Sequence, residues 1–275
     1  MNNTIANNTN NNRLYFIDNI KAFAMLLIIW GHCGGVHDFE GIFRWVYSFH
    51  VPIFFIISGY LTESRKNKSN LYFPKFRLLV PYCFYSIIYA CLTALLSLSN
   101  GFDSFVVNLK QSLARILLLD GQIATWYIPC LIIAELIFWI ETRKMNIKTC
   151  LLFNFVMCIV ACYIPFPETM WIAKVFLRVF PALFCFNVGI IVYEYKKFLS
   201  IFELIIISIF SVFLIIVNGN TDMYHMDIGK YPVIYGLEIA LSSLLVFYLF
   251  EKFVSQKIKV FTWFGKNTLI ILGTH

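Results

Sequence analysis

The sequence predicts an all-α protein, a polytopic transmembrane helix bundle of about nine spans with its N-terminus in the cytoplasm. Three observations carry that expectation. Hydrophobic residues make up 60% of the 275 and charged residues 13%, against roughly 45–50% and 25% in soluble domains. A mean hydropathy of +0.74 with 29 Phe and 15 Tyr exceeds what a core of this size absorbs, because a dissolved protein needs a mostly polar exterior. The apolar residues also fall in runs close to the ~20 residues that cross about 30 Å of hydrocarbon.

Residues 1–12 form an Asn-rich low-complexity tail without the basic start of a signal peptide, expected to be disordered and retained. Residues 13–275 then read as one transmembrane domain. The first run, 17–36, carries Asp18, Lys21 and His32. The second, 42–62, holds His50 and Pro52, and Pro52 should kink it because proline has no N–H to donate. After the run at 78–98, residues 99–123 are amphipathic, interrupted by Lys110 and Arg115, and belong at the outer interface or folded back into the protein. Runs at 124–140, 148–164, 175–195, 199–217 and 231–250 are separated by charged, Pro or Gly residues. The last, from 260, stops at His275 after about 15 residues, or about 22 Å at 1.5 Å per residue. That helix is therefore expected to be incomplete: either the protein is truncated at its C-terminus or its end is unusual.

The net charge of +7 sorts by topology. With loops assigned alternately, fifteen of the 22 Lys and Arg fall on one side, six on the other, and Lys266 lies inside the last run. The richer side is cytoplasmic by the positive-inside rule. This leaves the lipid bilayer as the surrounding and no role for nucleic acid. The eight cysteines lie in or beside apolar runs, with no CxxC pair and no zinc spacing. Neither disulfides nor a metal site is expected.

Ionisable groups inside spans are costly and so mark candidate functional positions. Lys21 and His32 are eleven residues apart, which on a helix is about 20° of offset and about 16 Å of rise. Asp18 lies about 40° to the other side of His32, completing one polar stripe. Asp18 and Lys21 read equally as an i,i+3 pair with Lys21 snorkelling. His32 is the candidate acid/base, since imidazole is the side chain suited to that work near neutral pH. His50 falls at a similar depth, so the two histidines could share an acceptor hydroxyl; the alternative has His50 bonded to a backbone carbonyl and Gly59 serving as a packing residue. Ser58, Gly59 and Tyr60 lie nearer the cytoplasmic face. Beyond them come Arg65, Lys66, Lys68, Lys75 and Arg77. Of these, Lys75 and Arg77 adjoin the third run and are best placed for a phosphate-rich ligand, although positive-inside retention accounts for such a cluster too. In the fourth run Trp126 and Glu135 are candidates for the acceptor side, with Arg115 or Arg178 as partner of Glu135; a buried polar network is the other reading.

Lys21-x10-His32, FHVPIFFIISGYL at 49–61, KFRLLVPY at 75–82, TWYIPCLI at 125–132 and FGKNTLIILGTH at 264–275 occur in one order along the sequence. Together they resemble the integral-membrane acyltransferase family 3, especially its fucose 4-O-acetylase-like branch. The resemblance implies O-acetylation: transfer of an acetyl group from cytoplasmic acetyl-CoA to a hydroxyl of a surface carbohydrate, in the inner (plasma) membrane. It implies His32 as the essential histidine, Lys21 as its basic companion, and Ser58, Gly59 and Tyr60 as the characteristic turn of the second helix. This sequence departs from the pattern in having Lys21 where Arg is commoner, and in lacking a closing span. Two other readings stand beside the enzyme. One is a transporter or exporter of a glycan or small solute, with His32, His50 and Glu135 as its pathway; the other is an inactive truncated subunit.

The loop assignment makes a direct prediction. A reporter fused after Lys197 should read cytoplasmic and one fused after Asp227 external. If both report the same side, the span count and the depth assigned to His32 are wrong.

Overall fold

The computed structural model describes residues 14–33, 39–66, 75–121, 123–165, 171–195 and 199–274. The Asn-rich tail, Lys68, Lys197 and His275 lie outside them. Within them the structure is 83% helical without strands, and thirteen α-helices form a membrane bundle. A helix satisfies its own backbone groups, which hydrocarbon cannot do.

Among the described residues five helices are long and apolar enough to cross a membrane: Glu40–Ser64, Phe76–Asn100, Ile172–Tyr195, Ile201–Asn218 and Pro232–Phe253. The first of these is interrupted. It comprises α2 (Glu40–Phe49) and α3 (Pro52–Lys66), broken at His50–Val51 where Pro52 withholds its N–H. The remaining runs are shorter than a full crossing or contain charge. The first, α1 (Tyr15–His32), includes Asp18 and Lys21, while α6 (Tyr127–Glu141) and α7 (Ile147–Tyr163) have 15 and 17 residues. The run from 260 is two short helices, α12 (Lys259–Lys266) and α13 (Thr268–Thr274), where the sequence suggested one incomplete helix. Gly265 presses on the Asp18 backbone of α1, where any Cβ would overlap, and the break follows at Asn267, whose backbone (φ −104°, ψ 18°) leaves helical geometry.

The centre is α9 (Val179–Tyr195), which continues from α8 (Trp171–Leu177); 83% of that span is buried in protein. By contrast only 22% of the span containing α4 (Leu79–Leu96) and 28% of α10 (Ile201–Asn218) are buried. Val80, Leu96, Phe202 and Ile209 are exposed there, presenting side chains suited to lipid. The amphipathic segment forms α5 (Phe102–Leu117), packed along α4, with Ser112 and Ile116 as its buried positions. A separate helix, α11 (Pro232–Phe253), starts with Pro at its first turn and packs on α10 and α1.

The tightest packing is between α3 and α9. A Cβ on Gly59 would overlap the Phe186 carbonyl oxygen, and one on Gly189 would overlap that of Ile56. Two facing glycines thus let the two backbones touch. Gly189→Ala should lower stability by about 3 kcal/mol, since neither backbone can yield to an added methyl group. Gly41→Ala, with nothing within 4 Å of the new atom, is the control. Thermal unfolding of both variants in detergent checks this, and an unchanged midpoint for Gly189→Ala would contradict the crossing.

Candidate active site

One end of the bundle gathers basic side chains. Lys257 lies over the Tyr15 ring at 5.9 Å, Lys148 over Tyr195 at 5.4 Å, and Lys252 donates to the Leu199 carbonyl at 2.8 Å. Asn19 donates to the carbonyls of Val254 and Gln256 at 2.8 and 3.0 Å, securing the start of α1 to the same end. Lys75 belongs here too. Its Nζ and backbone N–H both reach Glu135, the latter at 2.8 Å, and Nζ donates to Thr62 Oγ1 at 3.1 Å.

Towards the opposite end a cavity of about 680 Å³ opens between stretches remote in sequence. Its α1 wall is Met25, Ile28, Gly31 and His32, one helical face that continues downward to Lys21 one turn below Met25. The interrupted α2–α3 unit supplies Phe43, Tyr47, His50, Val51 and Phe54. Trp126 and Tyr127 come from the turn preceding α6 and its first residue, and Thr268, Leu269 and Leu272 from α13. The loop joining α10 to α11 closes the mouth with Asp222, Tyr224 and His225.

The break before Pro52 turns His50 towards this space while its Nδ1 lies 2.8 Å from the Val46 carbonyl. A carbonyl only accepts, so Nδ1 carries the proton and Nε2 is the nitrogen left to meet a ligand. Tyr47 packs beside His50 with ring centroids 4.6 Å apart and the planes tilted by 60°. The Tyr47 hydroxyl lies against Gly31, 3.4 Å from where a Cβ would stand, and so sits next to the last turn of α1, adjoining His32.

Behind the cavity stands a buried ion pair. Arg178 donates to Asp120 at 2.8 Å with both side chains 4% exposed. The guanidinium lies over Trp126 at 5.2 Å and Tyr224 at 4.8 Å, and those rings are 5.6 Å apart. One cation therefore holds two aromatic walls taken from different loops. Leu119 (φ 63°) and Gly121 (φ 72°) bend the backbone sharply on either side of Asp120.

At the mouth, His225 Nδ1 is 2.8 Å from Asp222 Oδ2, while Asp222 Oδ1 accepts from the backbone of Tyr224 at 2.7 Å and His225 at 3.2 Å. Burial pushes the Asp222 carboxyl up, but its hydrogen bonds and charge interaction with His225 outweigh this and hold it below the ordinary value. The hydrogen bond that His225 donates to Asp222 in turn raises the imidazole above its ordinary value.

Of the positions singled out in the sequence, His32, His50 and Trp126 meet in this cavity. Ser58 stands behind it, 3.3 Å from the Tyr127 hydroxyl. Lys21 shares the face of His32 but lies below the cavity lining, and Asp18 is buried under Gly265. Gly59 and Tyr60 do not line it. Gly59 is occupied by the α9 crossing, and Tyr60 packs against Phe16, Tyr193 and Phe247. Glu135 is also away from the cavity, and its partner is Lys75; Arg115 and Arg178, expected as its partners, both approach Asp120 instead. Arg77 is exposed at the basic end. Sequence reasoning missed Tyr47, Asp222, Tyr224 and His225. The available signal was the TDMYHMD stretch at 221–227, a polar turn with Asp and His three residues apart between two apolar helices.

A helical membrane bundle with a histidine-bearing cavity fits an enzyme acting at the bilayer. Residues 14–275 match the family model described as "Acyltransferase domain", and the protein belongs to acyltransferase family 3. It is thus a membrane acyltransferase. No curated protein and no solved structure matches it.

Glu135 is 4% exposed, so removing its cation leaves a buried carboxylate uncompensated. Lys75→Ala should cost roughly 3 kcal/mol of stability, and adding Glu135→Leu should recover most of it. Unfolding midpoints of the single and double variants measure this; equal losses in both would mean that the ion pair is incidental.

Proposed function

We propose that this acyltransferase carries an acetyl group from acetyl-CoA at the cytoplasmic face of the inner (plasma) membrane to a hydroxyl of a cell-surface carbohydrate. The observation that carries the reading is the cavity in which His32 and His50 lie among Tyr47, Trp126, Tyr127 and Tyr224. Aromatic faces suit the apolar faces of a sugar ring, and imidazole suits proton removal from a hydroxyl. The separation of the ends supports the same division of labour. Basic side chains gather at the end of Lys75 and Arg77, which on the Lys/Arg asymmetry is cytoplasmic, while His32 and His50 face the other side.

Lys75 is engaged by Glu135 and Thr62, so the exposed Arg77 is the better cation for the phosphates of the donor. The thioester then extends along the α1 face between Lys21 and His32, about 16 Å on a helix. A hydroxyl is a weak nucleophile at neutral pH. In direct transfer His32 takes its proton as the oxygen bonds the acyl carbon, the C–S bond breaks, and the proton passes on to the departing thiolate. Tyr47 and the Nε2 side of His50 position the acceptor hydroxyl.

His32→Ala should reduce acetyl incorporation from labelled acetyl-CoA into surface glycan by about 100-fold or more while insertion is unchanged. Wild-type incorporation by a correctly inserted variant would refute the assignment.

A further inference from the structure

The loop over the cavity carries more organisation than a connection between α10 and α11 requires. Asp222 and Asp227 exchange backbone hydrogen bonds of 2.7 and 2.9 Å. Asn218 spans the loop base, donating to the Ile228 carbonyl at 3.0 Å and accepting from the Tyr231 backbone at 2.9 Å. Its amide also reaches the fully buried Glu238 at 2.7 Å. Arg44 of α2 donates to Asn220 at 2.9 Å, binding the loop to the cavity's far wall. The result is a cross-tied turn whose tip presents Tyr224 and His225 to the cavity.

We propose that His225, oriented by Asp222, is an acceptor-binding residue whose Nε2–H donates a hydrogen bond to an oxygen of a sugar ring resting against Tyr224 at the cavity mouth. The inference rests on the carbohydrate reading above and adds to it where the sugar lies and what holds it. Three geometric facts support it. The oxygens of Asp222 are occupied by Tyr224 N, His225 N and His225 Nδ1, so the carboxylate orients the ring. The His225 side chain is 63% exposed, so the nitrogen turned from Asp222 is open to a ligand. The ring meets Tyr224 edge-on with centroids 4.8 Å apart, and Tyr224 is braced from behind by Arg178. An aromatic platform beside a charge-assisted donor is a fitting surface for a hydroxylated ring.

Because Asp222 retains the proton on Nδ1, loss of charge removes the proton from Nε2, and the donor disappears. The groups facing the pair are Lys174 and Arg178 from the α8–α9 side, with Arg178 neutralised by Asp120, and Tyr47, His50 and His32 from α2 and α1. The Asp222 hydrogen bond outweighs burial and the two cations, raising His225 above its ordinary value. Acceptor binding is therefore strongest below that raised value and weakens as pH climbs through it.

The test measures acceptor KM against pH in membranes containing the full-length protein, with base-deacetylated surface glycan from the producing cells as probe and acetyl-CoA KM as internal reference. For the native protein, acceptor KM should rise roughly tenfold across the alkaline limb. His225→Gln, a neutral donor at an exposed position, should flatten that rise, and Asp222→Asn should move it to lower pH. A native pH curve in His225→Gln, or an unmoved inflection in Asp222→Asn, overturns the inference alone. No acetylation of the glycan by the native protein overturns the carbohydrate reading on which it rests.

Discussion

The contact of α3 with α9 through Gly59 and Gly189 governs the remaining geometry. Lipid offers no hydrophobic force to press helices together, so close backbone approach and the dispersion contacts it permits must do so. With α3 seated on the central helix, the break at His50–Val51 falls at a defined height, and α2 leaves at an angle that turns Tyr47 and His50 towards α1. A bulkier residue at either glycine would displace the histidine together with the helix.

Ionisable groups inside the bundle are met by ion pairs or by neutral hydrogen-bond donors, and three such contacts fasten segments that regular helix geometry would leave loose. Lys75 and Glu135 join the approach to α4 with α6; Asp120 and Arg178 join the turn after α5 with the α8–α9 junction. Glu238 receives Asn218 and Thr221 at 2.7 and 3.3 Å, anchoring the mouth loop to α11. Buried pairs are poor sources of net stability but costly to break. The use of these contacts is positional: the Asp120–Arg178 pair supports Trp126 and Tyr224, and the hydrogen bonds to Glu238 support the turn bearing Asp222 and His225.

The polar stripe of α1 links these two regions. At its base, Asp18 and Asn19 are buried against the segment around 254–265; at its top, His32 opens into the cavity. Between them Met25 and Ile28 supply an apolar wall. On the proposed function, this layout puts one reactive group, His32, between a donor and an acceptor that approach from different faces.

The helical membrane class, the shared face of Lys21 and His32 and the kink at Pro52 were legible in the sequence, and of its candidate residues His32, His50 and Trp126 line the cavity. Apolar run length and the 100° step along a helix are local properties, and ionisable residues in hydrocarbon are conspicuous because they are costly. Local pattern could not say which neighbour each helix face meets. Glu135 could be seen as buried, but not as the partner of Lys75, 60 positions earlier. The terminal run reads as one helix across Gly265, Lys266 and Asn267, whereas the backbone leaves helical geometry at Asn267 and divides it. Asp222 and His225 read as a polar turn, and only the packing of α11 beside α1 and α2 brings that turn over His32 and His50. Helix formation is decided within a few residues by hydrogen bonds and solvent; assembly of the cavity is decided by contacts between segments distant in the sequence, which no local pattern encodes.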